Sequence, residues 1–292
     1  MITSSLEVQV LGTRFRNPLL LAAGTAGFGR ELAGVLDLDC LGGLVTKAVS
    51  PEPRAGNRAP RVAEFAGGML NSVGLANPGL DAVCQEHLPW LAREHPTLPV
   101  LVNVVGNTVD DYRQVAARLS ALPGVAALEL NLSCPNSSAG GLEFGADPAS
   151  VAAVVHSCRA ASNLPILAKL SPALPDIASM AAVAVQAGAD GVTLVNTIPG
   201  FLYAGTTGAP RLGNGNGGVS GPALLAVGVL ATRRVRERLP DAVIIGVGGV
   251  RSAADLRQYQ EAGANLVAIG TAALADPRLP GRIVRELELH GD

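Results

Sequence analysis

The sequence predicts an α/β protein folded as a (β/α)₈ TIM barrel, and three observations support this prediction. Eight short apolar runs have the length of strands, helix-like segments separate most of them, and polar residues follow nearly every run. Strands of a parallel sheet are buried on both faces, so continuous apolar runs are expected of them. The predicted strands are residues 19–23, 43–49, 100–105, 126–132, 166–170, 191–196, 243–247 and 266–270, and the predicted helices include 110–122, 148–162, 177–187, 222–238 and 253–262.

An open, doubly wound sheet is the alternative fold for this alternation. In such a sheet polar residues gather at one switch point, whereas here they recur after nearly every strand, as at the rim of a barrel. We expect a small hairpin over residues 6–16 and long loops inserted at the carboxyl face, over 50–80 and 199–221, a length usual for lids and binding loops. No linker or charge block marks a boundary, so residues 1–292 are expected to form a single domain.

The composition argues against several classes of protein. A net charge of −2 gives no electrostatic footprint for nucleic acid or an anionic membrane. No apolar run reaches the ~18 residues of a membrane span, and the first residues lack the basic and apolar regions of a signal peptide. The four cysteines are widely spaced without a CxxC pair, so we expect no metal site and a cytoplasmic location.

Lysine is rare in this chain. Of the 22 basic residues only Lys47 and Lys169 are lysines, and each follows an apolar run. A lysine that snorkels from a strand end would explain either residue alone. Two lysines at strand ends, with no lysine elsewhere in the chain, favour a chemical role for both. The reason is that a compact ammonium donates hydrogen bonds differently from the planar guanidinium of arginine.

Polar or small residues close the predicted strands, and the carboxyl ends of barrel strands meet in one pocket. A turn or helix cap would explain any one asparagine, but successive strand ends suggest a pocket for a flat, carbonyl-rich, partly anionic ligand. Glycines at 246–250 and at Gly270-Thr271 open the last two helices, where backbone N–H groups can approach a phosphate. These turns predict a phosphorylated cofactor, and the absence of GxxxxGK[ST] argues against a nucleotide triphosphatase.

Cys134 leaves the fourth predicted strand in the stretch NLSCPN. The thiol could serve as a nucleophile, a redox group or a general base. None of the four histidines lies near it in the sequence, which disfavours acyl transfer, where a thiol needs a base partner. A thiol with a pKa near 8.5 can accept a proton from a carbon that an adjacent carbonyl acidifies. Cys40, Cys84 and Cys158 have apolar neighbours typical of structural cysteines.

Ten stretches spread over almost the whole chain resemble the class 1 dihydroorotate dehydrogenases. The stretches NLSCPN and LNSVGLANPG are the most specific among them. The matching stretches are AAGTAGFG (22–29), VTKAVS (45–50), LNSVGLANPG (70–79), NVVG (103–106), ELNLSCPN (129–136), AKLSP (168–172), VNT (195–197), GGVSGP (217–222), GVGGV (246–250) and IGTA (269–272).

The resemblance implies an FMN-dependent enzyme that oxidises (S)-dihydroorotate to orotate in de novo pyrimidine (UMP) biosynthesis. Cys134 would remove the C5 proton while hydride passes from C6 to flavin N5; the family's other class has serine here. Lys47 would bind the substrate carboxylate and touch the flavin, and Lys169 would stabilise the anionic reduced flavin near N1–O2. Implied substrate contacts are Lys47, Asn71, Ser72, Val73, Gly74, Leu75, Asn131, Asn196 and Thr197. Implied cofactor contacts are Ala23, Gly24, Lys47, Ala48, Asn103, Asn131, Lys169, Val195, Gly221, Gly248, Gly249, Gly270 and Thr271, the last four at the phosphate.

The stretch CPNSSAGGLEFGADP after the base resembles subclass 1B. That subclass implies a homodimer joined, as a heterotetramer, to a partner subunit that carries FAD and a [2Fe–2S] centre and passes electrons to NAD. This chain has no cysteine cluster to hold such a centre itself. Two residues depart from the family pattern: Ala48 stands beside the lysine where a hydroxyl residue is expected, and Val73 replaces a bulkier side chain.

Three alternatives stay open at this point. A subclass 1A enzyme would use fumarate, and a barrel resembling dihydropyrimidine dehydrogenase would act on an uncharged base with a similar cysteine loop. A non-catalytic flavin-binding subunit could also have kept the barrel. Lys47 favours a carboxylate substrate, and the combination of Cys134, Lys169 and the asparagines argues for catalysis. The electron acceptor and the oligomeric state are left undecided by the sequence.

Overall fold

The structure is a computed structural model and describes residues 6–132, 144–205 and 208–289. The strands in this part of the chain are β1 (Val8–Val10), β2 (Thr13–Phe15), β3 (Leu19–Leu21), β4 (Gly43–Val45), β5 (Val62–Phe65), β6 (Gly68–Asn71), β7 (Val100–Val104), β8 (Val125–Asn131), β9 (Ile166–Leu170), β10 (Gly191–Leu194), β11 (Ile198–Phe201), β12 (Asn216–Ser220), β13 (Val243–Val247) and β14 (Leu266–Ile269).

Helices follow most of the barrel strands. The first, α1 (Leu80–Ala82), continues through a π-helical stretch (Val83–His87) into α2 (Leu88–Glu94). The others are α3 (Val109–Ser120), α4 (Pro148–Ala161), α5 (Ile177–Gln186), α6 (Leu224–Arg238), α7 (Ala253–Glu261), α8 (Thr271–Ala275) and α9 (Leu279–Leu289), with short 3₁₀ helices at Leu38–Cys40 and Phe144–Ala146. None of the described helices has both the length and the apolar character that crossing a membrane requires.

Eight parallel strands close into a barrel in the order β3, β4, β7, β8, β9, β10, β13, β14 and back to β3. The predicted (β/α)₈ barrel is therefore confirmed, and the open sheet is excluded. All eight strands coincide with the predicted runs, and β9 and β13 match them to the residue. The register places Lys169 of β9 beside Asn131 of β8 on one side and beside Thr193 of β10 on the other.

The lower part of the barrel is a packed apolar interior. Inward-facing residues of successive strands, among them Leu101, Leu167 and Ile245, are completely buried there. The predicted hairpin forms from β1 and β2, and its Phe15 is fully buried beside Gly43 at the start of β4. Burying a phenylalanine side chain is worth about 1.5–3 kcal/mol, so the hairpin seals the amino end of the barrel.

The two long connections form a second sheet above the carboxyl end of the barrel. Its strands pair antiparallel in the order β11, β12, β6, β5, and Gly218 lies opposite Asn71. The amide nitrogen of Gly213 donates a 2.8 Å hydrogen bond to the carbonyl oxygen of Pro60, which ties the two connections together again. We call this four-stranded unit the rim sheet. It surrounds the opening toward which the barrel strands point.

Side-chain caps fix the start of several helices next to that opening. The hydroxyl of Thr108 accepts a 3.1 Å hydrogen bond from the amide of Asp111, and the Asp111 carboxylate accepts one of 3.2 Å from the amide of Thr108. Such a capping box satisfies two otherwise unpaired N–H groups of α3 and is worth about 1 kcal/mol. The side chains of Asp147, Asp176 and Ser252 also cap α4, α5 and α7, each by accepting one hydrogen bond from a backbone amide of the first turn.

Candidate active site at the carboxyl end of the barrel

A cavity of about 1050 Å³ lies between the carboxyl ends of the barrel strands and the rim sheet. Every site residue expected from the sequence lines it except Cys134, which lies outside the described residues. The lining includes Ala23, Gly24, Lys47, Ala48, Asn71, Ser72, Val73, Gly74, Leu75, Asn103, Asn131, Lys169, Val195, Asn196, Thr197, Gly221, Gly248, Gly249, Gly270 and Thr271. Residues that are up to 248 positions apart in the chain thus share one cavity, from Ala23 to Thr271.

The floor of the cavity carries a buried charge pair. Nζ of Lys169 lies 3.3 Å from Oε1 of Glu129, and the two side chains are only 8% and 1% exposed. The same oxygen accepts a 2.7 Å hydrogen bond from Nδ2 of Asn103. Strand alternation points all three side chains into the barrel, since inward and outward positions alternate along each strand. Glu129 lies in the motif ELNLSCPN, but the sequence alone assigns it no role.

Asn103 presents an unused hydrogen-bond acceptor. A carboxylate only accepts hydrogen bonds, so Glu129 fixes the Asn103 amide with its nitrogen toward Glu129 and its oxygen away. That oxygen, Oδ1, is buried and has no hydrogen-bond partner among the described residues. Leaving a buried acceptor unpaired costs about 1–3 kcal/mol, so this atom suits a donor group of a bound molecule.

Lys47 stands at the cavity wall just beyond β4. Its backbone amide donates a 2.8 Å hydrogen bond to the carbonyl oxygen of Gly27, which fixes the chain at this point. The side chain is half-buried, and no carboxylate in the described ranges forms an ion pair with its ammonium. A partly desolvated cation without a protein counter-ion is suited to an anionic ligand.

The amides of Asn71, Asn131 and Asn196 also line the cavity. Nδ2 of Asn196 donates a 3.2 Å hydrogen bond to Oδ1 of Asn131, and Oδ1 of Asn196 accepts one of 2.8 Å from the amide of Thr197. The hydroxyl of Tyr112 donates a 2.7 Å hydrogen bond to the Asn131 carbonyl. Asn71 donates from Nδ2 to the Gly218 carbonyl at 3.2 Å. These bonds orient the amides, which can pair with the alternating donors and acceptors of a ring.

The segment of residues 72–75 covers one side of the cavity with an unusual backbone. Leu75 has φ of 56° and Gly74 has φ of 73°. A leucine in the left-handed region is strained and needs support from its surroundings. Asn77 supplies that support, because its buried side chain donates to the Leu75 carbonyl at 2.8 Å and accepts from the Gly79 amide at 2.9 Å. Asn77 lies in the motif LNSVGLANPG, but the sequence alone assigns it no role.

Glycine turns after β12, β13 and β14 close the far end. Gly221, Gly248 and Gly249 have φ of 133°, 129° and 75°, and an added Cβ on Gly249 would collide with the backbone nitrogen of Leu225. The hydroxyls of Ser220 and Thr271 are hydrogen-bonded at 2.8 Å, which joins the rim sheet to the first residue of α8. Unhindered backbone N–H groups beside hydroxyls favour a phosphate. Ser220 and Arg251, which also line this end, were not singled out in the sequence analysis.

The thiols of Cys84 and Cys158 and the imidazole of His87 have shifted pKa values and stand apart from this cavity. Burial raises the pKa of the Cys158 thiol to about 12 and raises the pKa of Cys84 above its ordinary value. Burial lowers the pKa of His87, whose ring stacks on Phe28 at 4.3 Å. No histidine occurs in the described lining of the cavity. The described walls therefore offer ammonium groups and amides and no imidazole base.

The sequence of this chain matches one family of known proteins over almost its whole length. The family model described as dihydroorotate dehydrogenase matches residues 5–290. Relatives named dihydroorotate dehydrogenase B (NAD(+)), catalytic subunit, occur in Latilactobacillus sakei, at 44% identity over 98% of this chain and 93% of the relative, and in Desulforudis audaxviator, at 46% identity over 96% and 91%. A third, from Geobacillus kaustophilus, is 45% identical over 97% of this chain and 89% of its own length.

Proposed function

The chain belongs to the dihydroorotate dehydrogenase family, and from its class 1B relatives we infer that it is the catalytic subunit of an NAD-linked dihydroorotate dehydrogenase. It oxidises (S)-dihydroorotate to orotate in pyrimidine biosynthesis. The strongest structural support is Lys47, an ammonium without a counter-ion among the described residues, in a cavity that several amides and apolar side chains also line. A ring that carries a carboxylate and two amide edges is the ligand chemistry that such walls accept.

The family uses a flavin, and we propose that this chain binds it as FMN. The cavity residues fit that cofactor in three respects. The glycine turns at Gly248-Gly249 and Gly270 offer backbone N–H groups to a single phosphate, Asn103 Oδ1 offers an acceptor to a ring N–H, and Lys169 offers a donor to ring acceptors. The volume of about 1050 Å³ can hold a flavin and a small ring together. Bound FMN would supply the acceptor for the hydride that leaves the substrate.

Substrate binding is assigned to the lysine and amide walls. Lys47 would hold the carboxylate by a charge-assisted hydrogen bond, which is stronger than a neutral one. Asn71, Asn131, Asn196 and Thr197 would pair with the amide edges of the ring, and the backbone of residues 73–75 would complete the contacts. The Asn131–Asn196 hydrogen bond supports this assignment, because it fixes the orientation of these two amides relative to each other in the cavity lining.

Proton removal is assigned to Cys134. The thiol would take the proton from C5 of dihydroorotate, a carbon made acidic by its adjacent carbonyl. Tyr112 bonds to the Asn131 carbonyl three residues before Cys134, so the described chain is held firmly up to the start of that segment. The described lining lacks histidine, which leaves the thiol as the candidate base carried over from the sequence.

The names of the relatives imply a further subunit, since each is called a catalytic subunit. We propose that the partner carries FAD and a [2Fe–2S] centre, and that a homodimer of this chain forms the core of a cytoplasmic heterotetramer. Residues 1–292 would serve in it as a single FMN-binding domain. The NAD(+) in the relatives' names favours this assembly over the fumarate-dependent alternative, and Lys47 favours dihydroorotate over an uncharged dihydropyrimidine.

One anaerobic experiment tests this function. The purified chain should be yellow with one FMN, and stoichiometric dihydroorotate should bleach it while one equivalent of orotate appears. Dihydrouracil should leave the colour unchanged. Yellow protein that stays oxidised in dihydroorotate would instead indicate a flavin-binding subunit, and bleaching by dihydrouracil would indicate the other pyrimidine enzyme. A protein that stays colourless and takes up no FMN would overturn the proposal.

A further inference from the structure

Glu129 is the most deeply buried ionisable side chain at the cavity floor, and the reaction described above does not use it. It is 1% exposed, and its Oε1 receives hydrogen bonds from both Asn103 Nδ2 and Lys169 Nζ. Burying a carboxylate costs several kcal/mol unless it is paired and hydrogen-bonded. An amide or an apolar residue would fill the same barrel position without that cost. Packing alone therefore does not explain why this position carries a negative charge.

The effect of the carboxylate on its two partners follows from hydrogen-bond chemistry. As an acceptor without donors, it turns the Asn103 nitrogen inward and leaves Oδ1 as an acceptor for a ligand. As an anion, it holds the Lys169 ammonium in one place and neutralises its charge within the pair. One oxygen atom thus creates a fixed donor next to a fixed acceptor at the bottom of the cavity.

We propose that Glu129 is a positioning residue that sets the polarity of the flavin site and lowers the potential at which bound FMN is reduced. This inference rests on the function proposed above. Lys169 alone would present a full positive charge and would bind the reduced, anionic cofactor much more tightly than the oxidised one. With Glu129 beside it the pair is neutral, so Lys169 contributes a directed hydrogen bond with a smaller net field. A lower potential makes it easier for electrons to move on to the next acceptor.

The variant Glu129→Gln separates charge from shape. Glutamine has the same length, and its Oε1 can still accept from Asn103 and Lys169, while the negative charge is removed. We expect the ratio of the dissociation constants of oxidised and reduced FMN to rise at least tenfold. A tenfold rise in this ratio corresponds to a shift of the FMN potential by about 30 mV to a more positive value for a two-electron couple. The potential is measured by reducing the holoprotein with a chemical reductant against an indicator dye, which requires no dihydroorotate.

Thr193→Val is the matched control. Thr193 lies beside Lys169 in the barrel register, is 1% exposed, and its hydroxyl has no hydrogen-bond partner among the described residues. The change therefore alters the same part of the barrel interior without changing its charge. The potential of this variant should equal that of the wild type. If the FMN potential of Glu129→Gln equals that of the wild type and of Thr193→Val, the inference is overturned, even if the thermal stability of Glu129→Gln has changed.

A second comparison covers the case in which Glu129→Gln does not fold. Lys169→Gln and the double variant Lys169→Gln/Glu129→Gln should have nearly the same potential, because Glu129 then lacks the ammonium through which it acts on the flavin site. A clear difference between these two proteins would contradict an action of Glu129 through Lys169. Wild-type protein that binds no FMN, or is not bleached by dihydroorotate, would instead refute the proposed function.

Discussion

Asn77 donates a 2.8 Å hydrogen bond from Nδ2 to the carbonyl oxygen of Leu75, a cavity residue whose backbone lies in the left-handed region. The same side chain accepts from the amide of Gly79 and donates to the hydroxyl of Ser50, which lies at the start of the same connection, just beyond β4. One buried amide therefore joins the covering segment of the cavity to the barrel. Its hydrogen bonds hold the backbone that we propose contacts the substrate.

Replacing Asn77 with alanine should loosen this segment. Unpaired buried donors and acceptors cost about 1–3 kcal/mol, so the melting temperature should fall by about 4–8 °C for a loss of ~2 kcal/mol. The KM for dihydroorotate should rise several-fold while FMN stays bound. The control is Asn163→Ala at an exposed position before β9, which should change neither value. An Asn77→Ala protein with the wild-type KM would show that the hydrogen bonds of Asn77 do not affect substrate binding.

Gly249 should tolerate no side chain. Its φ of 75° disfavours any residue with a Cβ, and that Cβ would collide with the backbone nitrogen of Leu225. We expect Gly249→Ala to weaken FMN binding by more than tenfold, measured by fluorescence titration of the apoprotein. Gly124→Ala is the control, since it has φ of 85° but meets nothing closer than the Ala92 Cβ at 3.6 Å, away from the cavity. If Gly249→Ala binds FMN as tightly as Gly124→Ala does, the glycine turn at Gly249 is not part of the phosphate site.

Lys47→Ala should act on the substrate much more than on the fold. A hydrogen bond to a charged group is worth about 1.5–3 kcal/mol, so the KM for dihydroorotate should rise about 10- to 100-fold. The variant should still be yellow. Arg113→Ala, which removes an exposed cation from α3 outside the barrel, serves as control. An unchanged KM in Lys47→Ala would mean that the carboxylate binds elsewhere.

Thiol reactivity provides a pH-dependent test. Burial is the main cause that raises the pKa of Cys40 and Cys84, and it raises that of Cys158 to about 12. A raised pKa means less thiolate at a given pH, so at pH 8 only ~0.01% of Cys158 is ionised. Iodoacetamide at pH 8 should therefore modify one thiol rapidly in the native protein, and orotate should slow this reaction. As the pH rises toward 10, slower reaction at Cys40 and Cys84 should follow.

The variant Cys134→Ser identifies the reactive thiol in that experiment. The rapid phase of iodoacetamide modification should be missing in this variant, and the slow phases from the other cysteines should remain. Mass spectrometry of the modified protein locates the label. A fast phase of the same amplitude in Cys134→Ser would show that Cys40, Cys84 or Cys158 is the reactive thiol and that its assignment to Cys134 is wrong.

The barrel could be predicted from the sequence because its strands are local apolar runs. Several predicted strands end too late, for instance at Val49 instead of Val45 and at Asn196 instead of Leu194. The apolar pattern continues there because Ala48, Val49 and Val195 are buried without belonging to the regular part of the ladder. Burial alone does not distinguish a strand residue from a residue that packs just beyond it.

The rim sheet and the floor of the site were harder to predict. Strand β12, with the sequence NGGVS, has few residues that favour strands, and its partner β6 precedes it by almost 150 positions in the chain. Glu129 looks like an outlier within an apolar strand until Lys169, 40 residues later, lies beside it. Long-range pairing of this kind leaves no local signal. The cavity residues could be named because family motifs mark them.

The rate at which dihydroorotate reduces the bound flavin, measured by anaerobic stopped flow across pH, tests whether Cys134 is the base that takes the C5 proton. We expect Cys134→Ser to retain its flavin, to lose most of the wild-type rate near neutral pH and to recover part of it as the pH rises, because a hydroxyl is a weaker base than a thiolate. Wild-type rates in Cys134→Ser at every pH would contradict the assignment of Cys134 as the base.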